Sequence, residues 1–555
     1  MNIETLNVPV LSQINDKQKT FLIEKGGSHL QYYPFTATSY SNSNFNFRIV
    51  VPSFDTVVSK QILVEVPVRF VLVGDSPMDK NLFQPNTIAP RHLPLSSVVN
   101  SLTCNLNGQS ITKQVSEECH IQSRFNNTAQ SRSTYGSVYP SAQDIRQSYN
   151  DGVGSSSSAI SSFDSMVPGV FQGRGAYKVN IAANSKTGCT LDYVFYEYVN
   201  LSPFSYEEND GQPGGLANIR DLTFNYNINA GQLPHMLSMA LGGGYSLTSN
   251  TVTLQQPTMY CNFVTPPVNF SIPRSISYNY VDTQTFLHSS GAPLASDSST
   301  NITSTALQFG ILPSSIYLAV RKSNNDVSTN VTSLMTSTDT YCKIDRIDIN
   351  FDNRSGLHAS TTAVNLYKMS ENNGLNYSWT EFDGKTEIPA SAVGDPKVTV
   401  RSIGSVIKLS FGKDIPLSGF NAPSMLGTYN FQVTVQATNI STETFTPELV
   451  ILTHTDGICT LSSPGSCEIS TALITPNDVA SAPESSLNYD NVQKLYGGNF
   501  GKMITGDTAK KLLKGVCDTA QALQNSGSSG SGLRAGTLVG GNVQSKASLK
   551  SRALR

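Results

Sequence analysis

Histidine and cysteine are the residue types from which a metal centre or a nucleophilic site would be built, and this chain carries seven of the first and eight of the second. The histidines (His29, His92, His120, His235, His288, His358, His454) show no HxH or HxxxH spacing, and the cysteines (Cys104, Cys119, Cys189, Cys261, Cys342, Cys459, Cys467, Cys517) form no CxxC pair. A zinc site needs four ligands, or three and a water, so the neighbours Cys119 and His120 read as packing and surface. Cys459 and Cys467 are close enough in sequence for a bridge, but a chain that starts without a secretory leader argues for reduced thiols. The acidic pairs Glu117-Glu118 and Glu207-Glu208 would do acid–base work only if they converged in a cleft. Neither GxSxG nor GxxxxGK(S/T) occurs. Gly242, Gly243 and Gly244 follow a helical stretch, so they mark a helix stop or an interdomain hinge, because a phosphate loop sits between a strand and a helix. The residues therefore describe a chain that is not an enzyme and takes no cofactor or metal.

The elements that position these residues are mostly strands. Ile62, Val64, Val66, Val68 and Phe70 alternate with polar or smaller neighbours, as do Leu222, Phe224, Tyr226 and Ile228, then Ile407, Leu409 and Phe411, then Tyr429, Phe431, Val433, Val435 and Ala437. Period-two alternation is the signature of an antiparallel strand with one face in a core. Pro67 predicts that the first of these lies near an edge or a bulge. Asn107-Gly108 between two apolar runs predicts a two-residue type I′ hairpin, since both centres of that turn need positive φ. Helical signals are short: Ala142 to Tyr149, Gln232 to Leu241, and Ser360 to Met369 with Ser360 as cap. Polar low-complexity stretches, Gly154 to Ser162, Ser289 to Thr305 and Asn324 to Thr340, predict long exposed loops.

At 555 residues the chain is long enough for two or three domains. Hydrophobic residues make up 38%, which allows large cores, while charged residues are only 14%, against about 25% in average soluble proteins. The net charge of −2 excludes polyanion binding by bulk charge. That charge is unevenly placed: residues 499–555 carry nine basic and two acidic groups, leaving a net of −9 on the rest. No run of 18 apolar residues occurs. The expected fold is all-β, two tandem eight-stranded antiparallel jelly rolls with short helices and a basic, partly helical C-terminal tail. The expected divisions are an N-terminal arm (1–29), a first jelly roll (30–235), a hinge (236–245), a second jelly roll (246–480), a linker (481–498) and the tail (499–555).

Several segments in this order resemble the double jelly-roll major capsid proteins of the virophage, Polinton and Polinton-like virus group. They are Pro94 to Leu102 leading into Asn107-Gly108; Leu201 to Phe204 with the strand Asp221 to Ile228; Ile344 to Phe351 with Asn353, Gly356, Leu357, Leu366-Tyr367, Asn373-Gly374 and Trp379; and Gly404 to Asp414 with Ala422-Pro423 and Gly427 to Tyr429. They sample residues 94 to 429, and none is catalytic in such families. The resemblance implies two upright jelly rolls per chain, three chains in a pseudo-hexagonal capsomer, and an icosahedral shell made with penton and minor capsid proteins. It places the chain in the virion after synthesis in the host cytoplasm without a secretion signal. A β-sandwich adhesin or carbohydrate-binding protein would share the same strand pattern and polar loops.

The tail adds a second expectation. Ala509, Leu512, Leu513, Val516, Ala520 and Leu523 fall on one stripe of a helix, with Lys510, Lys511 and Lys514 opposite. Such a basic amphipathic helix lies on membranes, docks in a groove or packs beneath a larger body. Leu495-Tyr-Gly-Gly-Asn499 and Leu538-Val-Gly-Gly-Asn542 bracket it. Both fit the Met/Ile/Leu-x-Gly-Gly pattern cut by adenovirus-type cysteine proteases, which viruses of the resembled group carry, so cleavage is expected between Gly498 and Asn499 and between Gly541 and Asn542. The released basic segments would meet membrane or genome.

Overall fold

The computed structural model describes residues 5–10, 19–24, 29–53, 55–74, 88–90, 93–126, 176–185, 188–204, 214–239, 247–266, 272–323, 341–388, 398–401, 404–417, 421–441, 443–472 and 474–481. Among the described residues strands dominate, every ladder between them is antiparallel, and the principal ones form two sandwiches.

The first sandwich contains β1 (His29–Thr36), β2 (Asn44–Ile49), β3 (Leu63–Gly74), β4 (Val99–Leu106), β5 (Gln109–Lys113), helix α1 (Val115–Asn126), β6 (Ala176–Ser185), β7 (Gly188–Tyr198), β8 (Leu222–Ile228), β9 (Leu247–Leu254) and β10 (Thr258–Thr265). One sheet runs β5-β4-β8-β2; the facing sheet runs β6-β7-β3-β10, with β9 also on β3 and β1 on β10. Phe45, Phe47 and Phe224 of one sheet meet Val64, Val66, Phe70 and Phe195 of the other in one core.

The alternation in β3 is complete, with Val64, Val66, Val68, Phe70 and Leu72 all buried. Pro67, however, sits inside the sheet and not at its edge. It pairs with Val194 of β7, while its carbonyl accepts from Gln255 N at 2.8 Å on the other side. That other side is where β9 ends and β10 begins, so the missing N–H faces the short crossing Gln255 to Pro257 and no ladder bond is lost. At the β4–β5 turn, Leu106 pairs with Gln109. Asn107 and Gly108 have φ of +50° and +86°, the type I′ arrangement.

The second sandwich contains β11 (Ser275–Ser289), β12 (Ser299–Thr303), β13 (Leu307–Ile311), β14 (Ser315–Lys322), β15 (Lys343–Phe351), helices α2 (Ala363–Asn372) and α3 (Trp379–Asp383), β16 (Val406–Ser410), β17 (Leu426–Thr438), β18 (Pro447–Ser462) and β19 (Ser466–Ser470). Its sheets run β11-β18-β14-β16, with β19 on β18, and β12-β17-β15, with β13 on β17. Tyr429, Phe431, Val433, Val435 and Ala437 of β17 pack against Ile316, Leu318 and Leu449 to Leu452 in a second core.

Four further expectations change. The division at residues 236–245 falls inside the first sandwich, because β9 and β10, which follow it, complete the β3 sheet. Gly242, Gly243 and Gly244 themselves lie outside the described residues. The described part of the helix expected over Gln232 to Leu241 is not α-helical: Ala230–Met236 is a 3-10 helix containing Pro234, and Leu237–Met239 is a short strand. The expected loop Ser289 to Thr305 includes β12, whose Ile302 is buried. The helix expected from Ser360 begins at Ala363 with Thr362 as cap, burying Leu366, Tyr367 and Ser370. A short helix, Pro476–Ser481, runs up to the expected linker. The loops 154–162 and 324–340, helix 142–149, the linker beyond Ser481 and the whole tail lie outside the described residues.

Candidate functional site at the joint between the sandwiches

Each sandwich inserts an arm into the other. Helix α1 leaves β5 of the first sandwich and buries two faces. Val115 and Cys119 join the first core, whereas Ile121 and Phe125 join the second. In each pair the two residues are one turn apart, and the pairs point in different directions round the helix. In return, the start of β11, the end of β18 and β19 lie on the first sandwich, where Tyr280, Cys459 and Leu461 join the first core and Tyr278, Cys467 and Ile469 pack against it. Ala217 N donates to Tyr278 Oη at 2.8 Å, and Asn218 Nδ2 donates to Pro273 O at 3.0 Å.

The polar side chains of α1 find partners across the joint. Glu117 pairs with Arg321 of β14, which also reaches Glu448 at 3.5 Å. Glu118 accepts from Thr283 Oγ1 at 3.1 Å and Thr285 Oγ1 at 3.3 Å, with Lys113 Nζ at 3.4 Å. Burial raises the Glu118 carboxyl above its ordinary range, and Lys113 and the threonines oppose that. Arg124 donates to Gly404 O at 2.8 Å, and its guanidinium stacks 4.5 Å from the Tyr341 ring. Such buried ionic groups add little net stability against an apolar alternative, but breaking one partner is costly, so they fix one geometry.

Between the arms lies a polar cavity of about 360 Å3, lined in part by Lys113, Gln122, Asn200, Asp282, Lys408 and His454. The hydrogen bonds there determine the state of His454. Gln122 Oε1 accepts from Lys113 Nζ at 2.6 Å and Asn200 Nδ2 at 3.2 Å, so its Nε2 is the donor end, giving one bond to Glu118 at 3.0 Å and one to His454 Nε2 at 3.2 Å. His454 Nε2 must accept, and the proton resides on Nδ1, facing Tyr317 Oη at 3.4 Å. Burial, with the Lys113 and Lys408 charges, pushes the His454 pKa down to about 3.

Below the joint, Glu197 of β7 is buried and accepts from Leu95 N at 2.6 Å, Ser96 N at 2.9 Å and Ser96 Oγ at 2.5 Å. It fixes the turn Ser96–Val98, against which α1 packs. Burial pushes its pKa up to about 7, against those three hydrogen bonds.

Of the chemistry-bearing residues read from the sequence, Glu117 and Glu118 are brought into the joint as ion-pair and hydrogen-bond partners. Cys119 is a core residue. Cys459 and Cys467 are free thiols. Among the described residues no group of three His, Cys, Asp or Glu side chains is placed to hold a metal. No described helix is long and apolar enough to cross a membrane. The candidates Gly498, Asn499, Gly541, Asn542, Leu512, Leu513, Val516, Leu523, Lys510, Lys511 and Lys514 lie outside the described residues. Sequence reasoning missed α1, Arg124, Arg321, Glu197 and His454. The one available signal was a 12-residue segment free of Gly and Pro, with Glu117 and Glu118 in its first turn and Arg124 in its last.

What this arrangement does is mechanical: it holds two sandwiches in one fixed relation. The chain is similar to known capsid proteins over most of its length. The Sputnik virophage major capsid protein first domain matches residues 7–264, and the major capsid protein V20 C-terminal domain matches residues 279–457. Capsid protein V20 of Sputnik virophage is 30% identical over 510 residues, covering 90% of this chain and 85% of its own. The cryo-EM structure of the Sputnik virophage superposes with a TM-score of 0.76 at 30% identity, over 89% of this chain and 99% of that one. The mavirus major capsid protein shares the fold, with a TM-score of 0.64 at 16% identity over 82% and 92%. The adhesin alternative gives way to a double jelly roll in a structural, non-enzymatic lineage. The chain, two jelly rolls clasped by reciprocal arms, belongs to the virophage major capsid protein family.

Proposed function

We propose that this chain is the main building block of an icosahedral virion shell, working as a homotrimer whose six jelly rolls make a pseudo-hexagonal capsomer. The observation that carries this reading is the reciprocal clasp: a tile with pseudo-six-fold outline needs its two rolls at one fixed angle, and two arms with their own core residues supply that. The low charge content supports broad contacts between neighbouring copies, since polar-neutral surface is desolvated at lower cost than charged surface. Three-fold closure also covers sheet edges. We assign the first roll to the strands up to Thr265 and the second to those from Ser275. Capsomers would meet their own copies and, at the vertices, penton and minor capsid proteins. The chain is made in the host cytoplasm and incorporated into virions.

In this reading the basic tail is an internal arm until a viral cysteine protease cuts after Gly498 and Gly541. Residues 499–541 would carry a net charge of +3 and the amphipathic stripe, suited to anionic membrane. Residues 542–555, with four basic and no acidic groups, would neutralise packaged genome. Sedimentation and electron microscopy of the purified full chain test the assembly: a trimer forming hexagonal tiles is expected, and a stable monomer that forms no particles refutes it. The mass of the chain from purified virions tests the cleavage.

A further inference from the structure

The arm that the second roll lays on the first carries two thiols side by side. Cys459 of β18 and Cys467 of β19 flank the tight turn at Ser463 to Gly465. The register pairs Cys459 with Ile469 and Leu461 with Cys467, so the cysteines are diagonal neighbours. Alternation puts both on one face, toward the first core. Their sulfurs are 3.7 Å apart. A disulfide is about 2.0 Å long, leaving about 1.7 Å for side-chain rotation to close. Cys459 is fully buried, whereas Cys467 is partly open to solvent.

The pair is also electronically unequal. Hydrogen bonding from Cys459 lowers the Cys467 pKa and raises that of Cys459, so of the two sulfurs the more accessible one deprotonates first. The third nearby thiol, Cys104 of β4, is buried in the first core and raised far from its ordinary range, so it is not a competing nucleophile.

We propose that Cys459 and Cys467 are a reversible disulfide site that staples the arm hairpin when the protein meets a small-molecule disulfide oxidant. The Cys467 thiolate attacks one sulfur of the oxidant, breaking its S–S bond and releasing one small thiolate. The resulting mixed disulfide on Cys467 is attacked by Cys459, which gives up its proton, and the second small thiolate leaves. Two electrons pass from the protein pair to the oxidant, and the two protons lost by the cysteines end on the two released thiols. The staple closes the short loop between β18 and β19 and so hinders peeling of the arm from the first roll.

The test is incubation of the full chain with oxidised glutathione, followed by intact mass, peptide mapping and hydrogen exchange. The expected result is a loss of two hydrogens, a Cys459–Cys467 cross-linked peptide reversed by dithiothreitol, and amide exchange in residues 458–470 slowed about tenfold or more. Cys467→Ser abolishes the cross-link, and Cys459→Ala gives the same readout from the other sulfur should the first variant not fold. A chain that keeps all its thiols, that stops at the mixed disulfide, that links to Cys104, or that cross-links without slower exchange overturns the proposal.

Discussion

Among the buried groups that acidification reaches, His454 and Glu197 act with opposite signs, and burial makes Glu118 and Asp282 act in the same direction as Glu197. His454 titrates near 6.5 when unfolded and about 3 when folded. The folded state therefore binds this proton less readily, so the stability His454 confers is present above pH 6.5 and is lost as pH falls toward 3. At about 1.4 kcal/mol per pH unit the full loss is about 5 kcal/mol. Glu197 goes from 4.5 unfolded to about 7 folded. Its contribution is fully present below pH 4.5 and is lost as pH rises through 7, about 3 kcal/mol in all. Between pH 6.5 and 4.5 the two nearly cancel; below 4.5 the His454 loss continues while the Glu197 gain does not. Protonation also sets His454 Nε2–H against the Gln122 amide hydrogens and adds a third positive charge beside Lys113 and Lys408, so the loss should be felt first in α1. Urea unfolding and hydrogen exchange of residues 115–126, measured from pH 7 to 4, check this. His454→Gln, which keeps an acceptor for Gln122, is expected to gain stability relative to the parent as pH falls, and Glu197→Gln to lose it. If the His454→Gln profile runs parallel to the parent across this range, the neutral-histidine reasoning is wrong.

Ile121→Ala removes a fully buried contact that α1 makes in the second core, and should cost about 3 kcal/mol, with exchange rising in α1 before either sandwich opens. Gly108→Val should cost about 2 kcal/mol at the β4–β5 hairpin, because a β-branched residue resists φ of +86°. No atom lies within 4 Å of a Cβ there, so Gly108→Asn, which tolerates that φ, should be near neutral; urea midpoints of both variants decide. Gly498→Val is expected to leave particle assembly intact and to keep residues 499–541 joined to the body by mass, with the cut after Gly541 still removing residues 542–555. Normal processing in that variant would mean that the cut lies elsewhere.

Local pattern was enough for much of this protein. Side chains alternate across a strand whatever its neighbours are, so Val64 to Leu72 and Tyr429 to Ala437 announce buried faces without any knowledge of the partner strand. Asn107-Gly108 announces its turn because its positive φ is a property of two residues. The resemblance to capsid proteins rested on the order of segments between Pro94 and Tyr429, which is also read along the chain without knowledge of contacts. Other features depended on what lies across a gap in sequence. The place of Pro67 was decided by where β9 stops and β10 starts, and the limit of the first roll by the same two strands, which follow the glycine run that looked like a hinge. Helix α1 has no single apolar stripe to announce it, because its apolar residues are split between two cores and its polar ones are satisfied by Arg321, Gly404 and Thr283. Gln122 and His454 are 332 residues apart, and only their meeting makes one histidine obligatorily neutral. The strongly alternating strands, the Asn107-Gly108 turn and the family were legible along the chain. The clasp between the rolls, and the titrating groups and thiols within it, were decided only by tertiary structure, because a buried polar group has no preferred partner until folding removes water from around it.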